Sequence, residues 1–276
     1  TFEHLMRTRV FEPLQLKSIT YFADEAIRHP VAVGHEWDDA TASNHISAPW
    51  PIPRCSNPAG GISATTNELV RFARMHSNDG ELDGARILTR ESARQMRSFQ
   101  AKADLRSWGL GWARSEIDGV QIVSHGGATN GFTARLTVVP ERQFVSVILT
   151  NHDRGSNAYG VIDPAILDEQ LGLKAPKPVI VPADPEVMGK LAGTYHHDLA
   201  TLTLRPIAEG LAVTEVSHNP FDGVDKDELP FRLLPTSECT FVGADNGNDG
   251  APADFIFNPD GSVRFFRMGG RLGYPV

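Results

Sequence analysis

The chain opens on a helical period. Phe2, Leu5, Met6 and Val10 fall on one helix face with Glu3, Arg7 and Arg9 elsewhere, and Pro13 ends the run just after Phe11. Periodicity then lapses from Ala23 to Pro58, a segment rich in His, Pro, Ser and Asp with one short strand expected at Val31–Gly34. Order returns after Pro58-Ala59-Gly60-Gly61. A helix is predicted over about Thr66–Ser77, with Thr65 or Thr66 as N-cap and Glu68 as a first-turn carboxylate, and another over Arg90–Arg97. Strand patterns follow. Trp108-Gly109-Leu110-Gly111-Trp112 reads as a strand whose glycines permit close backbone approach, and Val120–Ser124 as a strand ending at a His-Gly-Gly turn. Phe132–Val139 alternates, with Phe132, Ala134, Leu136 and Val138 on one face and Thr133, Arg135 and Thr137 on the other. Pro140-Glu141-Arg142 connects it to Phe144–Thr150 as a hairpin, and about Asn157–Leu171 forms an amphipathic helix to cover one sheet face.

The period changes after residue 173. Lys174-Ala175-Pro176-Lys177-Pro178, closing with Pro182, lacks core residues and reads as an interdomain linker. Beyond it short strands recur at Thr201–Leu204, Leu211–Thr214, Phe231–Leu234, Phe255–Phe257 and Val263–Met268, with Gly, Asp and Asn between them. The expected architecture is therefore an α+β domain over residues 1–173, in which an antiparallel sheet is flanked by helices. A linker over 174–184 leads from it to a small all-β barrel over 185–276.

Composition narrows the function classes. A net charge of −8 argues against nucleic-acid or anionic-membrane partners, which call for basic patches. No stretch approaches the ~18 apolar residues of a membrane span. Cys55 and Cys239 lie far apart in unlike surroundings, which argues against a disulfide framework. The histidines His29, His35, His45, His152, His196 and His197 show no ligand spacing such as His-Glu-x-x-His, so neither a metal nor another cofactor is expected.

Chemistry concentrates at His125-Gly126-Gly127-Ala128. A His followed by two glycines lets a substrate backbone lie against the strand edge, where exposed N–H groups can face a carbonyl oxygen, as an oxyanion hole requires. Alone, a Gly-rich turn before a hairpin is an ordinary turn. The order of motifs changes its meaning. Phe11-Glu12-Pro13-Leu14, Pro58-Ala59-Gly60-Gly61-Ile62-Ser63-Ala64-Thr65, Trp108-Gly109-Leu110-Gly111-Trp112, His125-Gly126-Gly127 and Val139-Pro140-Glu141 follow one another along the chain. At these spacings the set resembles the second half of the class C β-lactamase, penicillin-binding-protein and esterase superfamily, over roughly Thr1–Leu173. Gly193-Thr194-Tyr195 and the strands after it resemble the lipocalin-like domain often appended there.

The resemblance implies a mechanism. A serine in a Ser-x-x-Lys turn attacks an ester, amide or lactam carbonyl, forming an acyl-enzyme that water hydrolyses, while the Lys and a Tyr from Tyr-x-Asn handle the proton. By the same match His125-Gly126-Gly127 stands in for a Lys-Thr-Gly strand motif, and Ala128 supplies an oxyanion N–H. Gly60 falls where relatives carry a pocket-wall side chain, which leaves the site open to a small ester, amide or peptide-like substrate. A Lys would hold a permanent cation against a substrate carboxylate. A free histidine, titrating near about pH 6.5, is mostly neutral at pH 7, which predicts a preference for substrates without an essential carboxylate.

The chain departs from this pattern in its nucleophile. No Ser has Lys three positions on, no Tyr is followed two residues later by Asn, and the one Ser-x-Asn, Ser217-His218-Asn219, lies in the second domain. In the family both motifs precede the segment that matches Thr1. The expectation is an N-terminally truncated hydrolase domain, inactive by itself and poorly stable. Two other classes compete: a binding module or pseudoenzyme that recognises its ligand in the barrel, and a metal hydrolase built on the histidines. Thr1 as an N-terminal nucleophile is disfavoured because it precedes a helix rather than opening a buried strand. Ser63 reads as a helix-entry serine and Asn151 as a turn cap. Asp245–Gly250 reads as a hairpin tip, since it lacks the Glu six residues past its glycine that an EF-hand loop needs.

Overall fold

A computed structural model describes residues 1–39, 41–50, 52–103, 106–219 and 223–276. The chain forms two compact units, residues 1–101 with 107–175, and residues 102–106 with 176–276. The helices are α1 (Phe2–Met6), α2 (Ala23–Ala26), α3 (Asn57–Gly60), α4 (Thr66–Ser77), α5 (Arg90–Arg97) and α6 (Gly155–Leu171), then α7 (Pro185–Leu191). Two small hairpins, β1 (His35–Asp38) with β2 (Ser43–Ile46) and β3 (Glu81–Leu82) with β4 (Ala85–Arg86), precede the main sheet. That sheet comprises β5 (Ala101–Ala103), β6 (Arg106–Trp108), β7 (Ala113–Ile117), β8 (Val120–Thr129), β9 (Phe132–Val139) and β10 (Phe144–Thr150), each beside the next in sequence. The expected antiparallel sheet with flanking helices is present.

Alternation along the strands builds two cores. Val123, Leu136, Val138 and Val145 meet Ala73 of α4 and Trp112 on one face; Ile122 and Val139 meet Leu167 of α6 on the other. α6 starts at Gly155, two residues earlier than the pattern predicts, and only a glycine fits there, since a Cβ would collide with Thr133 Oγ1 and Thr150 Oγ1, which bond each other at 2.7 Å. At the start of α4, Thr65 is the N-cap in a full capping box with Glu68. The buried Glu68 carboxylate also accepts the N–H groups of Ser18 at 2.6 Å and Ile19 at 3.1 Å. Burial pushes its pKa up, but these amide donors outweigh burial and leave it below the usual carboxylate range.

Four expectations need correction. The first helix exposes Leu5 (56%) and buries Glu3, whose carboxylate is held by Arg54 Nε at 2.9 Å and Asn57 Nδ2 at 3.0 Å, so pairing overrides the amphipathic pattern. Val31–Gly34 is not a strand. Gly34 passes so close to the β8–β9 turn that a Cβ would lie 2.6 Å from Asn130 O, and pairing starts only at His35. Trp108–Trp112 is the β6–β7 turn, closed by Gly109 N–H to Trp112 O at 2.8 Å. Its close approach is real at Gly109, where a Cβ would strike the Met96 carbonyl. Finally, His125-Gly126-Gly127 does not end a strand, because β8 runs on to Thr129 and turns at Asn130-Gly131.

The second unit is a closed barrel. Strands β11 (Gly193–His197), β12 (Ala200–Ile207), β13 (Gly210–His218), β15 (Phe231–Pro235), β16 (Thr240–Ala244), β17 (Pro252–Phe257), β18 (Val263–Met268) and β19 (Arg271–Pro275) form an antiparallel ring, and β12 pairing with β13 closes it; β14 (Asp225–Asp227) hangs from the end of β13. Inward-facing Tyr195, Leu202, Leu204, Leu211, Phe241, Phe255 and Phe266 fill the interior. Met188 and Leu191 of α7 join that core, with Asp184 as N-cap. Tyr195 donates its hydroxyl to Leu191 O at 2.8 Å, and burial pushes its pKa up to about 12.

Candidate active site

Two tight hairpins aim the backbone of β8. The β7–β8 loop, Asp118-Gly119, has positive φ at both residues (51° and 77°) and closes on the Ile117–Val120 pair. The β8–β9 loop, Asn130-Gly131, closes on Thr129–Phe132. A two-residue loop closes on a pair that exchanges both hydrogen bonds, and bonded pairs then alternate along the ladder. Counting from the first loop directs Val120, Ile122 and Ser124 toward β7. Counting from the second directs Thr129, Gly127 and His125 toward β9. Both place the N–H and C=O of Gly126 and Ala128 on the β7 side. There β7 has already ended, since its Ala113 pairs with Ser124. Among the described residues no strand therefore pairs with this side of β8 from His125 to Thr129, inside a six-stranded sheet, and all five residues are exposed.

Side chains follow the same alternation. His125 and Gly127 share the face of Val123, which packs toward α4. The His125 ring meets Trp108 edge-on at 5.9 Å, and its Nδ1 donates to Gly126 O at 2.6 Å, leaving Nε2 outward-directed as an acceptor in the neutral ring. A Cβ at Gly127 would meet only Ala134 Cβ at 3.9 Å, so this face is open. Gly126 faces the opposite side, where the Tyr159 hydroxyl of α6 lies 3.9 Å from a notional Cβ. The turn carrying Gly60, α3, approaches β8, and a Cβ on Gly60 would touch only Ile52 at 3.9 Å. The fold therefore brings His125, Gly126, Gly127 and Ala128 onto one strand with the Gly60 turn near it.

The residues that hold this edge in place escaped the sequence pattern. His35 N–H donates to Gly131 O at 3.2 Å and Asn151 O at 3.1 Å. Asn151 Nδ2 donates to Val33 O at 3.0 Å and Asn130 Nδ2 to Pro49 O at 2.8 Å. Asn151 is thus a cross-link to a distant segment rather than a local turn cap. Behind the strands, Asp163 of α6 accepts from Thr137 Oγ1 at 2.9 Å and Arg135 Nε at 3.1 Å, while its other oxygen is buried without a partner. These pairs lie 26 to 118 positions apart, so no local spacing announces them.

Elsewhere the chemistry is thin. Among the described residues no three His, Cys, Asp or Glu side chains converge to hold a metal. Asp245 is held by Arg232, Nε to Oδ2 at 2.6 Å and Nη2 to Oδ1 at 3.0 Å, and the two cysteines are free thiols. Ser63 pairs its backbone with Thr20 two residues before the Thr65 cap. On the barrel, Thr201 Oγ1 lies 2.9 Å from His218 Nε2, and His218 Nδ1 lies 2.7 Å from Asp225 Oδ1. The same hydroxyl is shared with His196 Nδ1 at 2.9 Å, making a surface chain of hydrogen bonds.

Comparison with known proteins places the first unit. Residues 1–170 match the beta-lactamase family. Penicillin-binding protein 4 of Amycolatopsis lactamdurans is 33% identical over 211 residues, covering 72% of this chain and 54% of that protein. The chain thus spans about half the length of that relative. Among solved structures, SurE superposes on 100% of this chain and 63% of its own, with a TM-score of 0.67 at 21% identity. The octameric penicillin-binding protein homologue from Pyrococcus abyssi covers 99% of this chain and 59% of its own, with a TM-score of 0.54 at 17% identity. At these identities the two structures establish a shared fold. By the family match over its first 170 residues, the chain belongs to the beta-lactamase family of serine hydrolases.

Proposed function

We propose that this chain contributes the substrate-binding strand of a serine acyl hydrolase that cleaves ester, amide or lactam bonds through an acyl-enzyme. The observation that supports it is the edge of β8 beyond the end of β7, toward which Gly126 and Ala128 direct their N–H groups with no strand beside them among the described residues. A carbonyl laid along that edge receives the Ala128 N–H at the oxygen where negative charge develops in the transition state. His125 and Gly127 offer an open face beside it, and the Gly60 turn leaves the wall low. The substrate class is small ester, amide or peptide-like molecules lacking an essential carboxylate.

The nucleophile and base are assigned to a Ser-x-x-Lys and a Tyr-x-Asn, and these 276 residues contain neither. The chain alone should therefore be inactive. To test this, label it with a fluorophosphonate probe and assay p-nitrophenyl butyrate and nitrocefin, alongside the same chain joined to a segment bearing both motifs. Turnover is expected only in the longer protein and faster on the ester. There Ala128→Pro, which deletes the N–H, should lower kcat by about 10²–10³. An adduct on the 276-residue chain, at Thr201 or elsewhere, overturns the assignment, as does unchanged kcat in a folded Ala128→Pro protein.

A further inference from the structure

The barrel is filled unevenly from end to end. At the end where β11 begins, α7 supplies Met188 and Leu191 to the core. At the other end a cavity of about 230 Å³ opens, with Leu202, Phe266 and Met268 as its floor and His197, Glu215 and Arg271 among its walls. Register shows that all three polar side chains point inward. Residues opposite each other on adjacent strands share a face. Glu215 sits opposite Leu202, His197 opposite Ala200, and Arg271 opposite Met268. Leu202 and Ala200 are buried in the barrel core, and Met268 packs against it.

These walls carry opposite charges with nothing to neutralise them. Among the described residues, the Glu215 carboxylate accepts no hydrogen bond and forms no ion pair, and the same holds for the Arg271 guanidinium. Neighbouring Glu228, by contrast, is already satisfied by Ser217 Oγ at 2.8 Å and Lys226 Nζ at 3.6 Å. Burial raises the Glu215 pKa, with the neighbouring Glu228 carboxylate adding to it. His197 Nδ1 accepts the Leu199 N–H at 3.1 Å, so the proton of the neutral ring sits on Nε2 and is free to donate.

We propose that the barrel mouth binds a small zwitterion with an apolar side chain, an α-amino acid or a residue-sized peptide fragment. Its ammonium pairs with Glu215, its carboxylate takes donors from Arg271 and His197 Nε2, and its side chain lies on Leu202, Phe266 and Met268. A cation alone would meet Arg271 and an anion alone would meet Glu215; a zwitterion satisfies both walls. The volume lies below the roughly 300–1,000 Å³ of drug-sized pockets, which selects a ligand of one residue. This site is independent of the β8 edge and holds whether or not the chain is an enzyme.

The test uses the full ¹⁵N-labelled chain, titrated with leucine, with 3-methylbutylamine (the same body without the carboxylate) and with 4-methylpentanoate (without the ammonium). Leucine should shift the amides of Gly269, Arg271 and Gly273 saturably, and each half-molecule should bind at least about tenfold more weakly. Glu215→Gln and Arg271→Met should each weaken leucine by a similar factor, with the amides of Leu211 and Leu233 reporting that the barrel stays folded. If either variant loses the barrel, the three ligands on the unmodified chain still decide the matter. No shift at the mouth with leucine, or equal binding of either half-molecule, overturns the proposal.

Discussion

His76 offers the sharpest test of the energetics. Its side chain on α4 is 3% exposed, with Phe72 at 4.9 Å and Trp112 at 5.1 Å edge-on to its ring, and its Nδ1 finds no hydrogen-bond partner among the described residues. Burial lowers its pKa from 6.5 to about 4, and the Arg97 guanidinium, bonded to the His76 carbonyl, adds to the shift. The sign follows directly. Between pH 6.5 and 4 the unfolded chain binds this proton and the folded chain does not, so stability rises with pH across the window. It is fully present above the unfolded value and lost as pH falls toward the folded one. At 1.36 kcal/mol per pKa unit, about 2 kcal/mol disappears between pH 7 and pH 5. His76→Phe keeps an aromatic ring between Phe72 and Trp112 and leaves the backbone carbonyl that Arg97 uses. The assay is urea unfolding followed by tryptophan fluorescence, since all four tryptophans, Trp37, Trp50, Trp108 and Trp112, lie in the first unit. That choice separates His76 from His197 of the barrel, whose pKa is also lowered by burial. The variant should lose about 2 kcal/mol less than the natural chain between pH 7 and 5. Parallel profiles would refute the claim that a neutral, buried imidazole sets the acid limit of this unit.

Three other outcomes follow from named contacts. Glu68→Gln should destabilise the first unit by about 1–3 kcal/mol at pH 7 by weakening the capping box and the Ser18 and Ile19 bonds. Because the folded pKa of Glu68 is lowered, that difference should shrink as pH falls through it, which denaturant midpoints at pH 7 and pH 3 will show. Gly155→Ala should cost about 1–3 kcal/mol, since its methyl must displace the Thr133–Thr150 pair; a thermal midpoint equal to that of the natural chain contradicts the packing. Gly127→Val, on an open strand face, should leave stability within about 0.5 kcal/mol yet raise KM in a protein supplying both missing motifs. An unchanged KM would remove Gly127 from the substrate path.

Much of this molecule was legible in local patterns. The extents of α4 and α5, the β9–β10 hairpin and the Thr65–Glu68 cap rest on residues within a few positions of one another. Alternation in Phe132–Val139 specified which residues each face of the sheet buries. Errors arose where distant groups overrode the local pattern. Glu3 reads as a solvent-facing residue of an amphipathic helix, yet Arg54 and Asn57 draw it inward across 51 and 54 positions. Val31–Gly34 has a strand's composition, but its last residue is pressed against Asn130 and Phe132. His125-Gly126-Gly127 looks like punctuation because glycines usually interrupt strands. Here β9 holds them in a ladder and leaves their other edge free.

The sequence by itself determined the family, the α+β and barrel architecture and the strand that carries the candidate site. These depend on periodicity and on motif order, which survive without coordinates. Only the tertiary structure decided which way the backbone groups of that strand point. The direction of the Ala128 N–H depends on the parity of two hairpins and on where β7 stops. The zwitterionic mouth depends on ring closure bringing Glu215 and Arg271, 56 positions apart, to one end of the barrel. The physical reason is the same in both cases. A side chain's type is local, but its partners and its exposure are set by backbone pairing between segments that the sequence separates.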